Sequence, residues 1–330
     1  MIGKYNVEIY NNRVHYFLTI QRNITILQGD SATGKSELIR LISDYNVNGI
    51  SSGITVKCDV KCSVLNTEDW DIRLTAMRGN IVFIDETASF LKTTKFAEKV
   101  KGSDNYFVIV TRDDLSQLPY SVDEIYGLKN VTDNSKYKSF KKTYNEMYKL
   151  YDLQNNQKII PEKVIVEDSN SGYEFYSFLF PDKCVSAKGK SNIYKIIRDC
   201  SNERKLIIVD GAAFGPEMGR VIRYIREVDK NSVLFAPKSF EYLILKSGLI
   251  DIQKNVLEET FRYADSKVYM SWEEFFTSYL VSATQNTVFQ YSKSKLKDVY
   301  KTEGAIKKIN NVLPDKIIIQ VKNDSTTPSP

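Results

Sequence analysis

Gly29-Asp30-Ser31-Ala32-Thr33-Gly34-Lys35-Ser36 fits the pattern Gly-x-x-x-x-Gly-Lys-Ser/Thr at every fixed position. Before it, Asn23-Ile24-Thr25-Ile26-Leu27-Gln28 is apolar and β-branched, as a buried strand requires. After it, residues 35–43 read as a helix. A loop between strand and helix can wrap until its N–H groups and the helix N-terminus face a phosphate. Lys35 then reaches the β and γ oxygens and the Ser36 hydroxyl is placed for Mg²⁺. The expected ligand is a nucleoside triphosphate, ATP, held by Gly29, Asp30, Ser31, Ala32, Thr33, Gly34, Lys35 and Ser36.

Further along the chain, Ile81-Val82-Phe83-Ile84-Asp85-Glu86 is an apolar run closed by two carboxylates. Open α/β sheets bind their ligands at the carboxyl ends of strands. Asp85 is therefore expected to hold Mg²⁺ and Glu86 to polarise the attacking water. A third run, residues 106–110, ends Thr111-Arg112-Asp113, where Arg112 has two readings, a γ-phosphate contact or a surface ion pair. The first part of the chain is thus an α/β unit. Here it resembles the ABC and RecF-like P-loop ATPases, whose sheet carries such a loop, a strand ending Asp-Glu and a strand ending Thr-His-Asp. The resemblance covers residues 1–128. Arg112 stands where those ATPases have histidine, no Leu-Ser-Gly-Gly-Gln signature is present, and the interval from Lys35 to Asp85 is short for their helical lobe.

Residues 129–161 turn to Lys, Asn, Tyr and Ser, and Tyr144, Tyr148 and Tyr151 stand at i, i+4 and i+7. A connecting helix and a polar linker are expected there. A second alternating series follows: strands at 163–166, near 185, at 205–209 and at 233–236, with helices at 173–180, 192–200 and 216–228. That is a parallel α/β pattern. Its strands end in Glu167 and Asp210, and a small-residue turn at 186–192 lies between them. Carboxylates at adjacent strand ends suit Mg²⁺ or Mn²⁺ acting on a phosphodiester.

This order resembles the Toprim domain of topoisomerases, primases and OLD-family nucleases over residues 162–245, the segment Phe235-Ala236-Pro237-Lys238-Ser239-Phe240-Glu241-Tyr242-Leu243 included. The resemblance implies Glu167 and Asp210 as catalytic acids and metal ligands, Glu241 as a further ligand, and Asp168 and Glu217 as helpers. The second acid of its Asp-x-Asp motif is absent, since Asp210-Gly211-Ala212 puts alanine there.

The expected organisation is a P-loop NTPase sheet at 1–128, a helical linker at 129–161, a Toprim-like parallel α/β domain at 162–250, C-terminal helices at 251–322 and a disordered tail at 323–330. An ATPase head followed by such a domain resembles the OLD and Gabija-type ATPase-nucleases, which act in defence against phages. The resemblance implies that ATP state controls a nucleic-acid-cleaving site; the alternative is a non-catalytic ATP-dependent regulator that binds nucleic acid or a partner protein. Partners implied are ATP, DNA or RNA, and a second copy of the chain or another protein.

Composition fits these readings. The 330 residues are 42% hydrophobic and 26% charged, with a net charge of +5, enough apolar content for a sizeable core. No run approaches the ~20 apolar residues of a membrane span, so no membrane partner and a cytoplasmic location are expected. Cys58, Cys62, Cys184 and Cys200 are expected to be reduced, and one histidine, His15, makes a zinc site of usual spacing unexpected. Lysines cluster at 136, 138, 141, 142 and 149, and at 293, 295, 297, 301, 307 and 308. Each cluster reads either as a solvated helix face or as a groove for a phosphate backbone.

Overall fold

A computed structural model describes residues 1–29, 33–65, 68–131, 142–153, 158–200, 202–315 and 317. It is a mixed α/β chain with ten α-helices among the described residues and two sheets. The larger sheet has nine strands: β1 Tyr5–Tyr10, β2 Val14–Ile20, β3 Ile24–Leu27, β4 Thr55–Lys57, β5 Cys62–Val64, β6 Ile81–Ile84, β7 Tyr106–Val110, β8 Ile125–Val131 and β9 Thr143–Lys149. Their order is β4-β1-β2-β9-β8-β3-β7-β6-β5. From β8 through β3, β7 and β6 to β5 every pairing is parallel; β4, β1 and β2 form an antiparallel end.

The helix α1, Lys35–Asn48, packs on β1, β4 and β5 at once. The sheet therefore curls around it, and Val7, Ile9, Leu18, Leu38, Leu41, Ile42 and Phe83 share one core. The helix runs past the expected residue 43 because nothing breaks it before Gly49, whose φ of 57° ends it. On the sheet's other face, α2 Trp70–Ala76 and α3 Thr94–Val100 supply Trp70 and Phe96 to a second core with Phe107 and Ile109.

The smaller sheet is wholly parallel, in the order β11-β10-β12-β13: β10 Lys163–Val166, β11 Cys184–Ser186, β12 Lys205–Ile208 and β13 Val233–Phe235. Its helices are α4 Ser171–Leu179, α5 Lys190–Asp199, α6 Gly215–Glu227 and α7 Phe240–Lys246. Side chains alternate across it as strand geometry demands. Ile165 and Ile207 join the core that holds Phe107, whereas Val164, Val166, Leu206 and Ile208 face a third core with Phe175 and Phe276. The remaining helices, α8 Lys254–Glu258, α9 Trp272–Ala283 and α10 Glu303–Asn310, border that third core.

Three expectations need correction. The connecting helix over 129–161 is not formed among the described residues: β8 and β9 are an antiparallel pair in the larger sheet, with Gly127 opposite Tyr148 and Val131 opposite Tyr144. A four-residue separation puts side chains on one face of a strand as well as of a helix, so Tyr144 and Tyr148 could not tell the two apart. Tyr144 instead stacks near Phe17 of β2, ring centroids 6.5 Å apart. The larger sheet consequently runs beyond residue 128. Within the expected helical region 251–322, the stretch between α9 and α10 contains only a short 3-10 turn, Asp298–Lys301, as helical structure. Near the end of that expected helical region, Ile317 instead makes one parallel bridge to Ile159. Asp30, Ser31, Ala32, Lys136, Lys138, Lys141, Ile318, Ile319 and the tail lie outside the described residues.

Candidate functional site

Two clefts carry the candidate residues. The first lies where β3, β7 and β6 end side by side, Leu27 opposite Val110 and Ile84 opposite Ile109. Gly34 takes φ 86° and caps α1 without a side-chain bond. A Cβ on Gly34 would meet the Tyr16 hydroxyl at 2.7 Å, and that hydroxyl donates to the Gly34 carbonyl at 2.9 Å. Glycine is thus required twice, by backbone conformation and by space. Lys35 is buried, and its Nζ donates to the Gly29 carbonyl at 3.0 Å and to Thr33 Oγ1 at 2.7 Å. Ser36 is exposed at the mouth.

Thr33, Gly34, Lys35, Ser36, Glu86 and Arg112 line an open cavity of about 300 Å³. Of the two readings of Arg112, an ion pair is present: its Nε lies 3.4 Å from Glu86 Oε2. Asp85 sits at the same strand end, with Oδ1 accepting from the Thr87 N–H at 3.2 Å. The loop, Glu86 and Arg112 therefore meet in one cavity, with Asp85 beside its wall.

The second cleft opens at the ends of β10 and β12. Glu167 Oε2 accepts from the Asp210 N–H at 2.9 Å, so the two acids are tied directly. Asp168 Oδ1 accepts from the Tyr173 N–H at 2.9 Å, at the start of α4. A cavity of about 20 Å³ lies between Glu167, Asp168, Asp210 and the rings of Tyr176 and Phe240, room for about one water or a bare ion. Glu241 is buried at 2% exposure and does not share that wall; its Oε1 accepts from the Tyr291 hydroxyl at 2.9 Å, which is 2.5 Å from Ser171 Oγ. Glu217, also buried, pairs with Arg220.

Burial, followed by crowding of like charge, sets the electrostatics here. Burial, then Glu273 and Asp168, push the Glu167 carboxyl up to about 7, against the Asp210 N–H and Lys190. Burial, then Glu273, Glu167 and Glu241, raise Asp210 well above the usual carboxylate range, and Lys293 opposes them. Asp168 is raised by burial and by Glu241. Burial lowers Lys190 despite Glu167, Glu217 and Glu273 nearby, and its Nζ donates to the Ala213 carbonyl at 3.1 Å. For Lys293 burial is outweighed by Glu273 and Glu241, and its pKa rises. Lys293 is ion-paired to Glu273, so the solvated-face and backbone-groove readings both miss this member of its cluster. Among the described residues no three His, Cys, Asp or Glu side chains converge as a metal-ligand group.

Glu273 is the residue that sequence reasoning passes over. It lies in the first turn of α9, behind the Ser271 cap, and its charge acts on Glu167 and Asp210 because α9 packs on α7. Trp272-Glu273-Glu274 reads as the acidic first turn of any helix.

The clefts are physically joined. Downstream of Arg112, the Val122 N–H and Ser121 Oγ both donate to the Gly211 carbonyl, at 2.9 and 3.0 Å, and Gly211 follows Asp210. The Gly215 N–H donates to the Tyr120 carbonyl at 2.9 Å. A Cβ on Gly211 would meet the Ala236 carbonyl oxygen at 2.6 Å, and one on Gly215 the Tyr120 ring at 2.3 Å. No protein-family model matches the chain, and no curated protein matches it either.

Proposed function

We propose that the chain binds ATP with Mg²⁺ through residues 29–36, and that nucleotide state governs an acidic cleft acting on nucleic acid with a divalent metal. The observation that carries the first part is the buried Lys35 ammonium, held by the Gly29 carbonyl and Thr33 Oγ1 with Glu86 on the same cavity wall. An ammonium kept in its own loop can exchange those neutral acceptors for phosphate oxygens, a stronger charge-assisted bond. Gly34 leaves the space and backbone conformation such a loop needs. In this reading Ser36 and Asp85 hold Mg²⁺, Lys35 binds the β and γ oxygens, Arg112 leaves Glu86 for the γ-phosphate, and Glu86 orients the attacking water.

In the second cleft Glu167 and Asp210 would hold Mg²⁺ or Mn²⁺, with Asp168 at the same wall and Glu241 further back. A divalent ion would offset the burial and the repulsion that raise Glu167 and Asp210, which favours one tightly bound ion over two. The chain then cuts DNA or RNA, as a homo-oligomer or together with a partner protein. The test is a purified chain with Mg²⁺ or Mn²⁺, with and without ATP. Cutting that Glu167→Ala and Asp210→Ala each abolish, with ATP binding spared, is the expected result.

A second reading is favoured by one observation: Lys293, paired with Glu273, already brings a cation to the acids. A site neutralised from within suits a non-catalytic regulator, whose second unit binds nucleic acid or a protein. No cutting under any ATP and metal condition would favour that reading.

A further inference from the structure

We infer that Cys58 and Cys62 form a peroxide-oxidisable dithiol, a reversible modification site that closes to an intrachain disulfide. The geometry begins with the curled sheet. β4 and β5 are its two opposite edges, yet only residues 58–61 separate them in sequence. Cys58 directly follows β4 and Cys62 opens β5, so the pair sits where the edges meet. Both thiols pack in the core cluster that surrounds α1, with Tyr5, Tyr45 and Val60. Asn46 of α1 bridges the same spot, donating to the Cys62 carbonyl at 2.9 Å and accepting from the Val64 N–H at 3.1 Å.

The two thiols differ as an attacking and a resolving cysteine must. Cys62 Sγ donates to the carbonyl of Val60, which lies between the two cysteines, at 4.0 Å; its interaction with Cys58 is the largest reason that Cys58 is pushed down to about 7, the Val60 N–H assists, and burial and Asp59 oppose. Cys62 is buried, and the bond to Cys58, burial and the Cys58 charge hold it up as a thiol. Tyr5, from β1, feels the Cys58 charge and is itself raised, chiefly by burial. Cys58 is half-buried, open enough for a small oxidant.

The chemistry balances with a hydroperoxide as the oxidant. The Cys58 thiolate attacks one peroxide oxygen; an S–O bond forms, the O–O bond breaks, and hydroxide leaves to take up a proton as water. The sulfenic acid so formed no longer carries the charge that kept Cys62 protonated. Cys62 sulfur then attacks Cys58 sulfur; an S–S bond forms, the S–O bond breaks, and water departs with the Cys62 proton. Two thiols are oxidised and one peroxide is reduced to two waters. The loop closed is short, so it removes less unfolded-chain entropy than a long cross-link would. The bond is therefore a local and reversible mark at the end of α1.

The test uses the whole chain with hydrogen peroxide and, separately, iodoacetamide. Expected are loss of the mass of two hydrogen atoms, a Cys58–Cys62 cross-link in the peptide map, and its reversal by a dithiol reductant. Cys62→Ser should trap a dimedone-reactive sulfenic acid at Cys58, and Cys58→Ser should abolish both. Alkylation of Cys58 should have its midpoint near pH 7 and outrun Cys184, which burial pushes up to about 12. Should peroxide cross-link other cysteines, or none, or should Cys58 alkylate no faster than Cys184 in the unaltered chain, the inference is overturned.

Discussion

The cavity lined by Thr33, Lys35, Glu86 and Arg112 and the cleft at Glu167 and Asp210 both lie at the carboxyl ends of parallel strands, but they handle charge in opposite ways. In the first, opposite charges are spread around an open cavity: Lys35 rests on neutral oxygens, and Arg112 and Glu86 neutralise each other near solvent. In the second, Glu167, Asp168 and Asp210 line a space of about 20 Å³, and burial, with Glu273 of α9 adding its charge, raises Glu167 and Asp210. An open site with matched charges awaits a polyanion and costs the fold little while empty. A crowded acidic site is a source of strain that a cation relieves. This contrast predicts where substitutions hurt function and where they help stability.

The largest effect is expected in the first cavity. Lys35→Ala removes the ammonium nearest the proposed phosphates, and charge-assisted bonds are worth roughly 1.5–3 kcal/mol each. Nucleotide affinity by calorimetry should fall about a hundredfold with the melting temperature little changed. Unaltered affinity would remove the nucleotide from the comparison.

Next in size is the joint between the clefts. Gly215→Ala would drive a methyl group against the Tyr120 ring and, at 2.5 Å, its carbonyl oxygen. Backbone oxygen cannot swing aside, and overpacking of this sort costs roughly 1–3 kcal/mol. Denaturant unfolding should shift accordingly, and any ATP dependence of the second cleft should weaken with it. A variant as stable as the parent would mean that the segment after Arg112 sits loosely on the Asp210 loop.

A smaller, opposite effect belongs to the acidic cleft. Glu167 is raised from 4.5 to about 7, so the folded state binds its proton more tightly than the unfolded chain. Its stabilising contribution is complete below pH 4.5 and is lost as pH rises through about 7. Glu167→Gln should therefore flatten the fall in stability between those values and make the metal-free chain more stable at pH 8, by an amount on the order of 2 kcal/mol. Added Mg²⁺ should stabilise the parent more than the variant. Thermal melts across pH 5 to 9 that are parallel for the two chains would show that the carboxyl is not under strain.

The same contrast explains what could be read in advance. Strands buried on both faces, such as β6, β7, β10 and β12, stand out as apolar runs, and the loop at 29–36 carries its chemistry in consecutive residues. Short-range signals sufficed there. The β8–β9 pair was hidden because Tyr144 and Tyr148 share a face in either period, and strand pairing across residues 132–141 is a long-range property. Glu273 and Lys293 were hidden for a related reason. Each is an ordinary surface-type residue until α9 packs on α7 and the backbone at Lys293 accepts from the Ser171 N–H at 3.1 Å. Packing across the third core, which no local pattern encodes, brings them to the acids.

The smallest expected effect sharpens the first cavity alone. Arg112 and Glu86 are both substantially exposed, and exposed pairs contribute about 0–1 kcal/mol. Arg112→Ala should therefore leave the melting temperature nearly unchanged. Its consequence should appear only with a third phosphate: affinity for a nucleoside diphosphate stays as in the parent, whereas affinity for the triphosphate falls several-fold, about 1 kcal/mol. This follows because the guanidinium ends β7 on the same wall as Lys35 and Glu86, and the loop itself already accounts for the β-phosphate. Equal losses for both nucleotides would mean that Arg112 shapes the cavity through Glu86 and does not meet the γ-phosphate. Equal affinities throughout would leave it the surface ion pair that the sequence equally allows.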